Sequence, residues 1–181
     1  SFGAAAGITA RFPYCVNGVM KGVKEGFAES KSFIQTDVDG RSYVLMMNPI
    51  REIKNYKVVK HLLKDPRVVQ DLSKNEKASI MIRGKDNGYD GFAVYPQDAD
   101  FPLQLPSGKD AVYEVEIYVV DEEQLTGGYI GNWTVPKDSL NNANEITFHV
   151  VYPGLVSDDD RFLFISGLNS YSQNIPKPEI K

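Results

Sequence analysis

Between residues 78 and 166 apolar and polar positions alternate with a period of two, the spacing of a strand with one covered face. Residues 112–120 show it best: Tyr113, Val115, Ile117 and Val119 fall on one side, and Glu114, Glu116 and Tyr118 on the other. Residues 78–83 and 91–95, separated by turn residues 84–88, predict a hairpin, and further strands are expected at 129–135, 145–152 and 161–165. Upstream, 32–47 carries β-branched and aromatic residues on both sides of Asp39-Gly40, a pair suited to a tight turn, so a second hairpin is expected there. Val16, Val19, Val23 and Phe27 recur at helical spacing, but Gly18, Gly22 and Gly26 would each cost a helix about 1 kcal/mol relative to alanine. A twisted strand over 16–30 is favoured.

The period changes after Asn48-Pro49. Ile53, Tyr56, Val59 and Leu63 recur near the helical repeat, with Lys54, Lys57, Lys60 and Lys64 around the other side, which predicts a helix. Asp65-Pro66 reads as an N-cap and first-turn proline of a second short helix over 67–72. The proline-rich stretch 98–110 reads as a long loop, and residues 1–10 and 168–181 as loosely held tails of a single domain, 1–181. The fold class expected is therefore mainly β (α+β): an antiparallel β-sandwich or open barrel of about eight strands with a helical insertion near residues 50–73.

Composition narrows the class. At 42% hydrophobic and 24% charged residues the chain is neither disordered nor fibrous. The longest apolar runs, 43–47 and 162–165, fall far short of the roughly 20 residues of a spanning helix, so no transmembrane segment is expected. One cysteine, Cys15, and two histidines, His61 and His149, can form neither an internal disulfide nor a structural zinc site, and no cofactor is expected. The net charge of −4 combines +4 over residues 51–77 (eight Lys or Arg, four acids) with −8 elsewhere. With a sequence pI near 5.2 this argues against a nucleic-acid partner.

Candidate chemistry is sparse. His61 is expected on the solvated side of the lysine-rich helix, and His149, between Phe148 and Val150, on the face turned away from the core. Acidic pairs and triplets occur at 37/39, 86/90, 98/100, 121–123 and 158–160, but the calcium-loop pattern fails. Counting from Asp86 puts Gln97 twelfth, and counting from Asp37 puts Ser42 sixth. These carboxylates read as turn formers rather than metal ligands. Gly127-Gly128-Tyr129-Ile130-Gly131 lacks the Lys-Ser/Thr of a phosphate loop, and its glycines read as a turn or bulge.

Aromatic supply gives the binding candidates. Tyr129 and Trp133, four residues apart on one strand face, could with Asn132 form a contact surface for a carbohydrate or a protein, although burial in the core is favoured for both rings. Asn132-Trp133-Thr134 also fits the N-glycosylation pattern. The run 133–150 resembles jelly-roll modules of carbohydrate-active proteins over about a tenth of the chain, too little to imply membership. The reading is a non-catalytic binding or structural domain located outside the cytoplasm. Its rivals are a hydrolase-type enzyme using convergent loop carboxylates and a subunit of a larger phage, pilus or secretion assembly.

Overall fold

A computed structural model describes residues 9–36, 41–98, 100–141, 143–154 and 157–181. The strands among them are β1 Gly18–Gly22, β2 Ser30–Ile34, β3 Ile50–Ile53, β4 Tyr56–Leu62, β5 Asp65–Asp71 and β6 Lys77–Gly84. They continue as β7 Asp90–Tyr95, β8 Leu103–Pro106, β9 Ala111–Asp121, β10 Gln124–Val135, β11 Ile146–Tyr152 and β12 Glu179–Ile180, with one α-helix, α1 Asp158–Tyr171. The main sheet runs β5-β4-β11-β10-β9-β6-β7, with β12 added beside β11. Separate two-stranded pairs are β1-β2 and β3-β8. The fold is mostly β, α+β and open, in line with the β-rich class expected.

Alternation is kept where one face is buried. In β9 the residues from Ala111 to Val119 at odd positions are buried and the intervening ones half-buried, matching the expected inward set. The β6-β7 hairpin likewise buries Ala78, Ile80, Ile82 and Ala93. The inward rings touch in series across the interior: Tyr95–Tyr56, Tyr56–Phe148, Phe148–Trp133, Trp133–Tyr113 and Tyr113–Tyr89, with centroids 6.0 to 6.4 Å apart. Tilted and edge-on packing at this spacing is the geometry aromatic quadrupoles favour.

Residues 50–73 are not helical. They form β3, β4 and β5, and the reason lies in where β4 sits. It is flanked by β5 and by β11, to which it runs parallel, and five of its seven residues are buried on both faces. A strand covered on both sides does not alternate, so its apolar positions matched a helical template by coincidence. Lys60, expected at a solvated position, is buried against Glu76. Pro66, expected as a first-turn proline, lies in β5 at the edge of the sheet, where its missing N–H leaves no ladder bond broken.

Other expectations also change. Residues 161–165 belong to α1, which starts where Ser157 caps the helix by accepting from the Asp160 N–H. The expected tail at 168–181 is tied down: Leu168 and Ile175 are buried, and β12 pairs with Ile146 and Thr147 of β11. Within 32–47, β2 pairs with β1 instead of with 43–47, which is not a strand, and Asp39-Gly40 lies outside the described residues. Of the favoured strand over 16–30 only 18–22 forms β1, with a turn before β2 opens at Ser30, and the stretch 98–110 contains β8.

The glycines of β10 make room for α1. The ladder shifts between Leu125 and Gly127, a bulge as expected, and a Cβ at Gly128 would stand 2.8 Å from the Leu168 side chain and from the Ile117 carbonyl. β10 and β11 pair only at Gly128 and Val151, and the helix end enters the gap: the Ile130 N–H donates to Ser172 Oγ at 3.0 Å. Ser172 in turn donates to the Leu168 carbonyl at 2.7 Å, so the otherwise unpaired strand donor is satisfied.

Candidate functional site

The aromatic candidates lie inside the sheet. Tyr129 and Trp133 are 2% and 3% exposed, and the Trp133 ring is held between Tyr113 and Phe148. Asn132 is exposed on the opposite face, across the ladder from Glu114. The two rings and the amide therefore do not share a surface. Of the acidic stretches, 37/39 lies outside the described residues. Asp98 accepts from the Asp100 N–H in a local turn, and Asp121 and Glu122 line a shallow cleft with Asn75, Gln124 and Thr126. Among the described residues no group of three or more His, Cys, Asp or Glu is arranged to hold a metal ion.

The parallel pairing of β4 with β11 creates a cluster that the spacing along the chain conceals. His61 and His149, expected apart and solvated, are both buried with ring centroids 5.0 Å apart. His61 Nε2 and His149 Nδ1 are 2.8 Å apart, and His61 Nδ1 lies 2.7 Å from the Pro66 carbonyl. His149 Nε2 is buried without a hydrogen-bond partner among the described residues, and Glu179 Oε2 lies 3.9 Å from it. His149 does point away from the aromatic interior, as its place between Phe148 and Val150 predicts; what sequence reasoning missed is that this face is covered too. Burial, and after it the neighbouring His61, hold the His149 imidazole below its ordinary pKa.

A second buried polar group closes one end of the interior. Lys60 Nζ donates to Glu76 Oε2 at 2.6 Å and stands over the Tyr152 ring, 5.2 Å from its centroid. Glu76 also accepts from the Ser73 N–H at 2.7 Å and the Thr126 hydroxyl at 2.8 Å. Every oxygen of this carboxylate is thus engaged, which is the condition under which a buried charge is tolerated.

Comparison with known proteins leaves the fold standing by itself. No protein-family model matches the chain, and no curated protein or solved structure matches it significantly.

The clearest surface feature is apolar. Val19 and Phe33 are direct partners in the β1-β2 ladder and are 58% and 79% exposed. Phe12, Tyr14, Val16 and Val23, on or near the same arm, are also exposed. Lys21 and Lys31 flank Glu29 on this arm, at 2.5 and 3.0 Å, and hold its carboxyl below the usual range. The pair β1-β2 adds no strand to the main sheet, and among the described residues each of its strands keeps one unpaired edge.

Proposed function

We propose that this chain is a non-catalytic binding domain that engages a protein partner through the arm formed by β1 and β2. The observation that carries this reading is the Val19–Phe33 pair, two large apolar side chains facing each other across a ladder in water. Such a patch is unfavourable on a free monomer and is the usual mark of a partner surface. A two-stranded ribbon is also marginal by itself, so a third strand or a covering surface would stabilise it. The carbohydrate alternative loses its support, because Tyr129 and Trp133 are held in the core while Asn132 faces the other way.

The test uses a photoreactive phenylalanine analogue at position 33. The expected result is one protein adduct formed in the producing cell and abolished by Val19→Asp, with the unfolding midpoint of Val19→Asp unchanged. Absence of an adduct, or carbohydrate-array binding that survives Val19→Asp, overturns the reading.

A second reading, a subunit of a larger assembly, draws on a separate observation. Phe162 and Leu163 on α1 are strongly exposed and form a second apolar patch on a different element. Two unlike patches on one chain are what head-to-tail association requires. Sedimentation across a hundredfold concentration range separates the two: open-ended growth that Phe162→Asp removes supports assembly, and a constant monomer supports the partner-binding reading.

A further inference from the structure

The direction of the hydrogen bond between His61 and His149 is fixed from one end. The Pro66 carbonyl can only accept, so His61 Nδ1 carries a proton and donates to it at 2.7 Å. In a neutral ring His61 Nε2 is then unprotonated, and His149 Nδ1 donates to it at 2.8 Å. This leaves the lone pair of the pair's last nitrogen on His149 Nε2, buried, without a donor, and facing the carboxylate of Glu179 on β12. The one basic position of the dyad is therefore aimed at the strand that closes over it.

A proton added there has few compensating contacts. Glu179 Oε2, the nearest carboxylate oxygen, is half-exposed and already has Lys181 Nζ 3.7 Å away. The charged and titratable groups facing His149 are His61 and Lys57 from β4, Glu179 of β12 and Lys181 just after it. Lys57 is itself bound to Glu145, just before β11, at 2.9 Å, with Asp71 of β5 also near it. Two lysines and a second imidazole thus oppose the single carboxylate that would welcome the charge.

We propose that His149 is a proton-operated latch on β12: neutral, it allows Glu179 and Ile180 to dock beside Thr147 and Ile146; protonated at Nε2, it releases them. Release rather than clamping follows from burial. A docked β12 keeps water from Nε2, whereas an undocked one lets water solvate the imidazolium, so acid favours the undocked state. The depressed pKa of His149 in the docked protein has the same sign. Docking is fully favoured above the ordinary histidine value of 6.5 and weakens as pH falls through it toward the lowered native value. This device is independent of the β1-β2 arm.

Native-state hydrogen exchange tests the latch in the unmodified chain. The Lys181 N–H bonds to the Glu145 carbonyl and the Glu145 N–H to the Lys181 carbonyl, so both amides report docking, while Ile117 in β9 is the control. After correction for intrinsic exchange, protection of the two reporters should fall between pH 7.5 and 5 by up to about tenfold per pH unit, the limit for one proton, with Ile117 unchanged. His149→Phe should hold the reporters protected and pH-independent. A titration of the His149 ring nitrogens by NMR needs no substitution, and its midpoint should lie below 6.5, where the fall in protection levels off. Protection that is constant or rises with acid, a ring midpoint at or above 6.5, or an unaltered pH response in His149→Phe overturns the proposal.

Discussion

The Tyr56 hydroxyl donates to the Val94 carbonyl at 2.7 Å, joining β4 to β7, strands that stand second and last in the order of the main sheet. Strands so far apart meet only if the sheet curls, and this bond, with the Tyr56–Tyr95 ring contact at 6.1 Å, spans the curl from inside. No ladder joins the two, so the sheet remains open. Burial first, and the Asp98 charge second, push the Tyr56 hydroxyl above its ordinary pKa, which keeps it a donor throughout the accessible pH range.

Tyr56→Phe therefore isolates the bond from the ring. The aromatic volume stays and one buried donor goes, so the cost should be about 1–2 kcal/mol, read as a lower urea midpoint at unchanged slope. An unchanged midpoint would mean that ring packing alone holds the curl.

The Lys60–Glu76 pair predicts both a mutational asymmetry and a pH dependence. Lys60→Met leaves the Glu76 carboxylate buried beside a methyl group and should cost about 3–5 kcal/mol, whereas Lys60→Met with Glu76→Leu should cost clearly less than the single change. Burial acts to raise the pKa of Glu76, but the Lys60 ammonium, the Ser73 N–H and the Thr126 hydroxyl outweigh it and hold the group below its ordinary 4.5. The resulting stability is complete above that pH and is lost as pH falls through it toward the lowered native value. Urea midpoints between pH 6 and 3.5 should drop in the parent chain, with that limb reduced in the double variant; identical acid limbs would contradict the assignment.

How much of this was legible depended on coverage of each strand's faces. β9 and the β6-β7 hairpin have one fully buried face and announce themselves by alternation. β4 is buried on both, so its period of two vanished and lysines at 54, 57, 60 and 64 suggested a helix. α1 was missed for the opposite reason. The short apolar run 162–165 looked like a strand, although Ser157, three residues before Asp160, offered a helix-start signal that could have been used. The histidine pair was beyond reach: its members are 88 residues apart and meet only because β4 and β11 run parallel. Tyr129 and Trp133, by contrast, were correctly placed on one face, with core burial as the favoured outcome.

The turn between β9 and β10 offers a last prediction, because it places residues against their conformational preference. Asp121 pairs with Gln124, leaving a two-residue loop in which Glu122 and Glu123 have φ of 46° and 74°. Both central positions are left-handed, the backbone of the mirror-image turn that suits the twist of a hairpin and favours Asn-Gly. A glutamate there sets its Cβ against the following carbonyl at about 1 kcal/mol or more per residue, while a glycine gives back roughly half to one kcal/mol through the freedom of the unfolded chain. The relief is the larger of the two, so Glu122→Asn with Glu123→Gly should raise stability by about 1 kcal/mol, read as a higher urea midpoint at constant slope. Removing two carboxylates beside Asp121 also relieves like-charge repulsion, and that part alone should fade with added salt. A gain that persists in high salt would assign the strain to the backbone; one that disappears would assign it to charge.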